Sequence, residues 1–284
     1  MSDSVTGTVE GADVQDSAVL LDVCDVTVRF GDLTVLDAVR MQVGLGEIVG
    51  LIGSNGSGKS SLLNVASGYY QPSEGEATIT GISISALSPE GVARLGVGRS
   101  FQNIGSLQEL TTGEYMMLGL ETDWAVGLAP ALLSLRSSRR AEQAARETVR
   151  GWAERAGVAD YLGVPLKHCP YGVRKIADIV RAVIAGPTLL LLDEPTSGVA
   201  SGDRAMIADL IRTLVEGTNR SVVVVDHDVE FVSSLAGSMV ALAAGRVIAR
   251  GPTAEVLADR AVVDTFIGHA SEGLVDQIAP GEQR

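Results

Sequence analysis

The chain has 284 residues, of which 46% are hydrophobic and 20% charged, enough apolar material for a full core in one large domain or two small ones. Its formal net charge of −13 argues against a nucleic-acid partner, because phosphate contacts need Lys and Arg. No apolar run approaches the roughly 20 residues of a membrane span; the best candidate, WAVGLAPALLSL at 124–135, is interrupted by Gly127, Pro130 and Ser134.

Residues 1–17 are small, polar and acidic (Asp3, Glu10, Asp13, Asp16) and read as a disordered tail. The first 28 residues hold no Lys or Arg and no long apolar stretch, so no signal peptide is expected and the protein is expected to stay in the cytoplasm. Cys24 and Cys169 match no metal or redox spacing and fit a reducing compartment. The runs AVLLDVCDVTVRF and LTVLDAVRMQV alternate like strands. Phe30, closing the first of them, is either a core aromatic or a ring that can stack on a purine. EIVGLI at 47–52 is a short continuous apolar run, as in a strand buried on both faces.

That strand leads into GSNGSGKSS (53–61) and then a helix beginning at Lys59. The spacing G-x-x-x-x-G-K-[ST] is met by Gly53, Gly58, Lys59 and Ser60. Gly53, Gly56 and Gly58 let the backbone turn its N–H groups toward phosphate oxygens, with Ser54, Asn55, Ser57 and Ser61 completing the cradle. The helix N-terminus adds partial positive charge. Lys59 can reach β- and γ-phosphates, and the Ser60 hydroxyl can ligate Mg2+. A chance glycine-rich turn before a lysine is the competing reading. The flanking strand and helix weigh against it, as does the scarcity of lysine: three in the chain, one of them at the required position.

Residues 88–170 read as mainly helical, with a strand at 97–101 followed by Gln102, which can ligate Mg2+ and report on a γ-phosphate or be merely structural. The stretch 136–155 carries six Arg against three Glu; it is either a solvated helix face or a patch toward lipid head groups or a membrane partner. YGVRKIADIVRAVIAG places Ile176, Ile179, Val180, Val183 and Ile184 on one helical face and Lys175, Asp178 and Arg181 on the other. A leucine run then ends in Asp193-Glu194. Beside a phosphate loop, Asp193 can hold Mg2+ through water and Glu194 can orient or deprotonate an attacking water; alone, such carboxylates would read as a cap on the next helix. SVVVV (221–225) is a further buried strand, and His227 after it sits at an end that should face the nucleotide. Strands MVALAAG and RVIARG lead to short helices at 253–258 and about 260–267, and a polar tail closes the chain at 269–284. These elements describe one α/β domain, 18–268, with a helical subdomain, 88–170, inserted in a nucleotide-binding core.

With these motifs in this order, the chain resembles the nucleotide-binding subunit of ATP-binding cassette (ABC) transporters over about residues 20–268. The resemblance rests on Phe30, GSNGSGKSS, FQN, YGVRK, LLLLDEPTSG and VDHD. Within that family, GLIGSNGSGKSSLLNVASGYYQPSEGEATITG, ARLGVGRSFQNI, QELTTGEYMMLG and the Arg-rich insert look like ATPases of branched-chain-amino-acid-type importers. The resemblance implies a P-loop NTPase fold with a mixed sheet, ATP and Mg2+ as ligands, and Lys59, Glu194 and His227 in catalysis. It also implies peripheral placement on the inner face of the cell membrane, integral-membrane permease subunits as partners, and an extracytoplasmic solute-binding protein.

Two segments depart from the family pattern. CPYGV (169–173) stands where Leu-Ser-Gly-Gly-Gln or Leu-Ser-Tyr-Gly-Gln is usual, so Pro170 replaces Ser and Val173 replaces Gln. Ala200 stands where Asp or Asn is usual. In the family, this signature segment contacts the ATP held by a second subunit, which here leaves Tyr171 and Gly172 to do so. The intact Lys59, Asp193 and Glu194 beside a weakened signature imply pairing with a second, non-identical ABC ATPase. The alternatives are an ATP-binding regulatory subunit with little hydrolysis, or a soluble ABC ATPase outside transport.

Overall fold

The computed structural model describes residues 19–101, 105–123 and 135–265. Both terminal tails, Gln102 and the apolar stretch 124–134 lie outside the described residues. The strands divide between two sheets. β1 (Val19–Phe30) and β2 (Leu33–Gly44) pair antiparallel, with β4 (Glu74–Ile79) and then β5 (Ile82–Ser83) on the other side of β1. The second sheet holds β3 (Ile48–Gly53), β6 (Val97–Arg99), β7 (Leu189–Asp193), β8 (Ser221–Val225), β9 (Ser238–Ala243) and β10 (Arg246–Pro252). Its order is β10-β9-β3-β8-β7-β6, and all its pairings are parallel except β9 with β10.

The apolar runs in β3, β7 and β8 have a direct structural reason. Successive side chains alternate between faces, and both faces are covered. Leu189, Leu191, Val223, Val225, Val49 and Leu51 pack toward the antiparallel sheet and α1 (Lys59–Ala66). Leu190, Leu192, Val222, Val224 and Ile52 pack into the opposite cluster, which gathers the helices. These helices are α3 (Thr112–Met117), α4 (Leu135–Arg155), α5 (Tyr171–Val183), α6 (Ser201–Val215), α7 (Val229–Leu235) and α8 (Thr253–Ala258). Residues 260–265 are also helical, within the helix expected at about 260–267.

The interval expected to be helical, 88–170, begins with core elements. α2 (Pro89–Arg94) leads into β6, which pairs with β7, and Val92 and Val97 join the cluster between the sheets. The helical segment therefore lies between β6 and α5. Within it, α3 starts at a reciprocal cap in which Thr111 and Glu114 each satisfy the other's backbone N–H. α4 buries Val149, Trp152 and Ala153, while Arg140, Arg146 and Arg150 of its Arg-rich sequence are exposed. The second face of α5 is enclosed as well: Lys175 and Asp178 are buried, and the Arg181 side chain is 10% exposed. Polar residues on an amphipathic helix here mark an internal hydrogen-bonding face, rather than a solvated one.

Leu191 lies at 0% exposure in the middle of β7. Leu191→Ala is expected to lower the unfolding free energy by about 2–5 kcal/mol, read by chemical denaturation; a loss under about 1 kcal/mol would mean that the inter-sheet cluster collapses around the cavity.

Candidate functional site

Three parallel strands end in register. Leu51 of β3 lies opposite Val225 of β8, and Val225 lies opposite Asp193 of β7. Each chain segment leaves the sheet just beyond this row, so the 53–58 loop, the 194–200 turn and the 226–228 turn gather along one sheet edge.

The phosphate loop bridges β3 and α1. Gly58 is the N-cap of α1 at φ 105°, where a Cβ would sit 2.7 Å from Leu36 Cδ2 and 3.0 Å from Val35 O, so only glycine fits. Gly56, at φ 76°, has open space around it. The loop is tied from outside by the Gly245 N–H, which donates to Ser57 O at 3.0 Å. Lys59 is 8% exposed and its Nζ donates to the carbonyls of Gly53 (2.8 Å) and Ser54 (2.9 Å). Burial lowers its pKa from 10.5, opposed by the charges of Glu194, Asp193 and Asp226. Ser60 is exposed, and Ser57 Oγ is buried with no partner among the described residues.

Asp193 is buried, and its Oδ1 accepts no hydrogen bond from the described residues. Its Oδ2 lies 3.4 Å from Arg99 Nη2, and the other terminal nitrogen of Arg99 donates to Asn64 Oδ1 (2.6 Å) and Ser67 Oγ (2.8 Å). Burial pushes the Asp193 carboxyl above its usual range, against the pull of Arg99. Glu194 adopts φ 50°, a left-handed backbone that costs a non-glycine residue about 1–3 kcal/mol. Two contacts hold it there: its N–H donates to Val225 O (2.7 Å), and its carbonyl accepts from Lys175 Nζ (2.7 Å). A buried carboxylate with a bare oxygen, a partly exposed one at a fixed backbone angle and a loop of N–H donors are groups that could hold a phosphate chain and a divalent cation.

His227 follows β8 with its side chain 60% exposed, its Nδ1 3.5 Å from Asp226 Oδ1. Asp226 was not singled out by sequence reasoning, yet it is fully buried and fastens two turns together. Its Oδ2 accepts from the Thr196 N–H (3.0 Å) and hydroxyl (2.6 Å), and its Oδ1 accepts from the Asp228 N–H (3.1 Å). A carboxylate directly after four consecutive valines of a buried strand was the available signal, since such a group needs donors. Arg99 gave no comparable signal.

Phe30 is 50% exposed and meets Tyr70 edge-on at 5.1 Å, which rules out the core-aromatic reading. Pro170 is the N-cap of α5 and Ala200 the N-cap of α6, and neither supplies a side-chain cap. Two of the three departing residues thus fall on positions where Ser or Asp would bind first-turn N–H groups, while Val173 lies buried in the first turn of α5. The start of α5 is braced instead by Arg174, which donates to Cys169 O (2.9 Å) and Lys167 O (2.8 Å). Tyr171 is 47% exposed beside Gly198, and Gly172 is buried against Asp203 of α6. The structure brings Lys59, Asp193, Glu194 and Asp226 together; the start of α5 carries Tyr171 and Gly172 as a separate feature.

A family model described as ABC transporter matches residues 36–197. The chain is 29% identical over 251 residues to the high-affinity branched-chain amino acid transport ATP-binding protein LivG of Salmonella typhimurium, covering 88% of this chain and 98% of the relative. It is 28% identical, with the same coverage, to the corresponding protein BraF of Pseudomonas aeruginosa. A nucleotide-free ATP-binding cassette from an ABC transporter superposes with a TM-score of 0.77 at 25% identity, covering 87% of this chain and 98% of that one. Among the described residues, no helix is long and apolar enough to cross a membrane.

Because burial depresses the Lys59 pKa, its ammonium is lost as pH rises through a value below 10.5. The cationic form is the one that attracts phosphate. ATP affinity is therefore expected to decline on the alkaline side before an ordinary lysine would titrate, measured by equilibrium binding across a pH series; constant affinity up to 10.5 would contradict this.

Proposed function

The chain belongs to the ABC transporter family as one of its ATPases, and we propose that it energises import of an amino acid or similar small organic solute through separate integral-membrane permease subunits. The observation that carries this reading is the row Leu51–Val225–Asp193, which sets the phosphate loop, Asp193 and Glu194 at one sheet edge. The branched-chain amino acid relatives, matched over nearly their whole length, support the substrate class.

In this reading the loop N–H groups of residues 53–61 bind the phosphates, and Phe30 stacks on the purine. Lys59 exchanges its two carbonyl contacts for β- and γ-phosphate oxygens. Mg2+ fits at Ser60 and Asp193: the Ser60 hydroxyl is exposed, and Asp193 Oδ1 is buried without a protein partner. Bound there, the cation would neutralise charge on the phosphates; Gln102 is a further candidate ligand. Glu194 orients the attacking water and accepts its proton, from a backbone already fixed by Val225 and Lys175. His227 approaches the γ-phosphate from the next strand end.

The signature segment supports asymmetric pairing. Pro170 has no hydroxyl to offer a partner's γ-phosphate, and a hydrogen bond to a charged group contributes about 1.5–3 kcal/mol. The Gly172 N–H and the α5 dipole remain. A second, non-identical ATPase with an intact signature would complete one full site on this chain's phosphate loop. A cleft of about 640 Å3 between the helical segment and the β6 edge, walled by Tyr69, Val92, Phe101, Leu118, Arg181 and Pro187, suits the permease contact. Tyr69 and Phe101 are exposed aromatics there. In this reading the protein works in the cytoplasm, on the inner membrane face, in a system with an extracytoplasmic solute-binding protein.

Glu194→Gln should reduce turnover by at least about 100-fold while ATP still binds. The solution mass of that variant with Mg-ATP, by light scattering, is expected to remain monomeric. A dimer would contradict asymmetric pairing, and turnover in Glu194→Gln equal to that of the unaltered chain would contradict the role given to Glu194.

A further inference from the structure

Asp178 is a buried carboxylate that the chemistry above leaves without a role. Its side chain is 3% exposed in the middle of α5. It gathers donors from three places: the Phe101 N–H to Oδ2 (2.7 Å), the Tyr115 hydroxyl to Oδ1 (2.7 Å) and Arg181 Nε to Oδ1 (3.0 Å). Tyr115 belongs to α3 in the helical segment, and Phe101 lies two residues past the end of β6. Arg181 reaches further, donating to Arg99 O (2.8 Å) and stacking over the Phe101 ring at 3.8 Å.

The three residues Arg99–Phe101 are therefore held at each position. Arg181 takes the Arg99 carbonyl and Asp178 takes the Phe101 N–H. Between them, the Ser100 N–H donates to Leu191 O (3.0 Å) while its hydroxyl accepts the Asp193 N–H (3.0 Å). The Arg99 side chain continues from this segment to Asp193. A continuous hydrogen-bonded path thus joins Tyr115, on the helical side, to the Asp193 carboxylate. Apolar packing alone could fasten α5 to α3; a shared carboxylate adds a geometric link that responds to the position of one hydroxyl. Burial pushes the Asp178 carboxyl above its usual range, with its three donors opposing the rise.

We propose that Asp178 is a positioning residue for ATP hydrolysis: it fixes Arg99–Phe101 against the strand-end site and shares its carboxylate with Tyr115, so that displacement of α3 reaches Asp193 through Arg99. This rests on the hydrolytic reading given above. The positions tested, Tyr115 and Asp178, lie outside the nucleotide-contacting residues. Because Phe101 and Arg181 also wall the cleft assigned to the permease, a partner seated there would act on the same carboxylate.

The test is Tyr115→Phe in the full chain, which removes one hydroxyl and keeps the buried ring. Amide hydrogen exchange at Phe101 should accelerate, and kcat should fall, each by about tenfold, with ATP affinity held within about twofold and the melting temperature lowered by only a few degrees. Asp178→Asn should move the same readouts in the same direction; if it fails to fold, the tyrosine variant decides. Unchanged exchange or unchanged kcat in Tyr115→Phe would overturn the proposal. So would a loss of ATP affinity as large as the loss of kcat, which marks a merely structural fastener. No turnover in the unaltered chain, even with Pro170→Ser added, would overturn the hydrolytic reading and this proposal together, whereas equal turnover with and without Tyr115→Phe overturns this proposal alone.

Discussion

The constraint on which the site depends is the shared register of three parallel strands. Leu51, Val225 and Asp193 stand in one row because β3, β8 and β7 pair without a slip. A one-residue shift would turn each alternating side chain to the opposite face and move Asp193 out of line with the phosphate loop. The two covered faces prevent this, since leucines and valines from both clusters fix the register. The chain leaves these central strands only at their ends, so the 53–58 loop and the 194–200 and 226–228 turns are confined to one line. Asp226 then fastens two of these turns through Thr196 and Asp228.

Against this ordered half-site, the start of α5 is a contrast. Pro170 and Ala200 occupy two helix N-caps that lack side-chain caps, and both are departures from the family pattern. The strained Glu194 backbone and the buried, bare Asp193 oxygen are features that a nucleotide-binding machine uses. The chain thus combines an ordered phosphate-loop side with two uncapped helix starts at the departing positions. The proposed pairing with a different ATPase rests on that imbalance.

Much of this was legible in sequence. The phosphate loop is written in glycine and lysine spacing, and the central strands in uninterrupted apolar runs. The departures at Pro170, Val173 and Ala200 were visible because each is a single-residue change in a short motif. The residues that were missed act through distant partners: Asp226 through Thr196, 30 residues away; Asp178 through Phe101, 77 residues away; and Arg99 through Asp193, 94 residues away. Local pattern carries no trace of such pairings. The enclosed second face of α5 was hidden for the same reason, because helical periodicity separates polar from apolar and does not reveal what covers the polar side. Phe30 stayed ambiguous because a residue at a strand end has no alternation to fix its exposure.

The most direct measurement is steady-state ATP turnover per chain for the isolated protein and for Pro170→Ser, across a range of chain concentrations. Restoring the hydroxyl should raise turnover by about tenfold and make it rise with concentration, as two chains complete each other's sites. Equal turnover in the two proteins, independent of concentration, would contradict the claim that the signature segment is the limiting element.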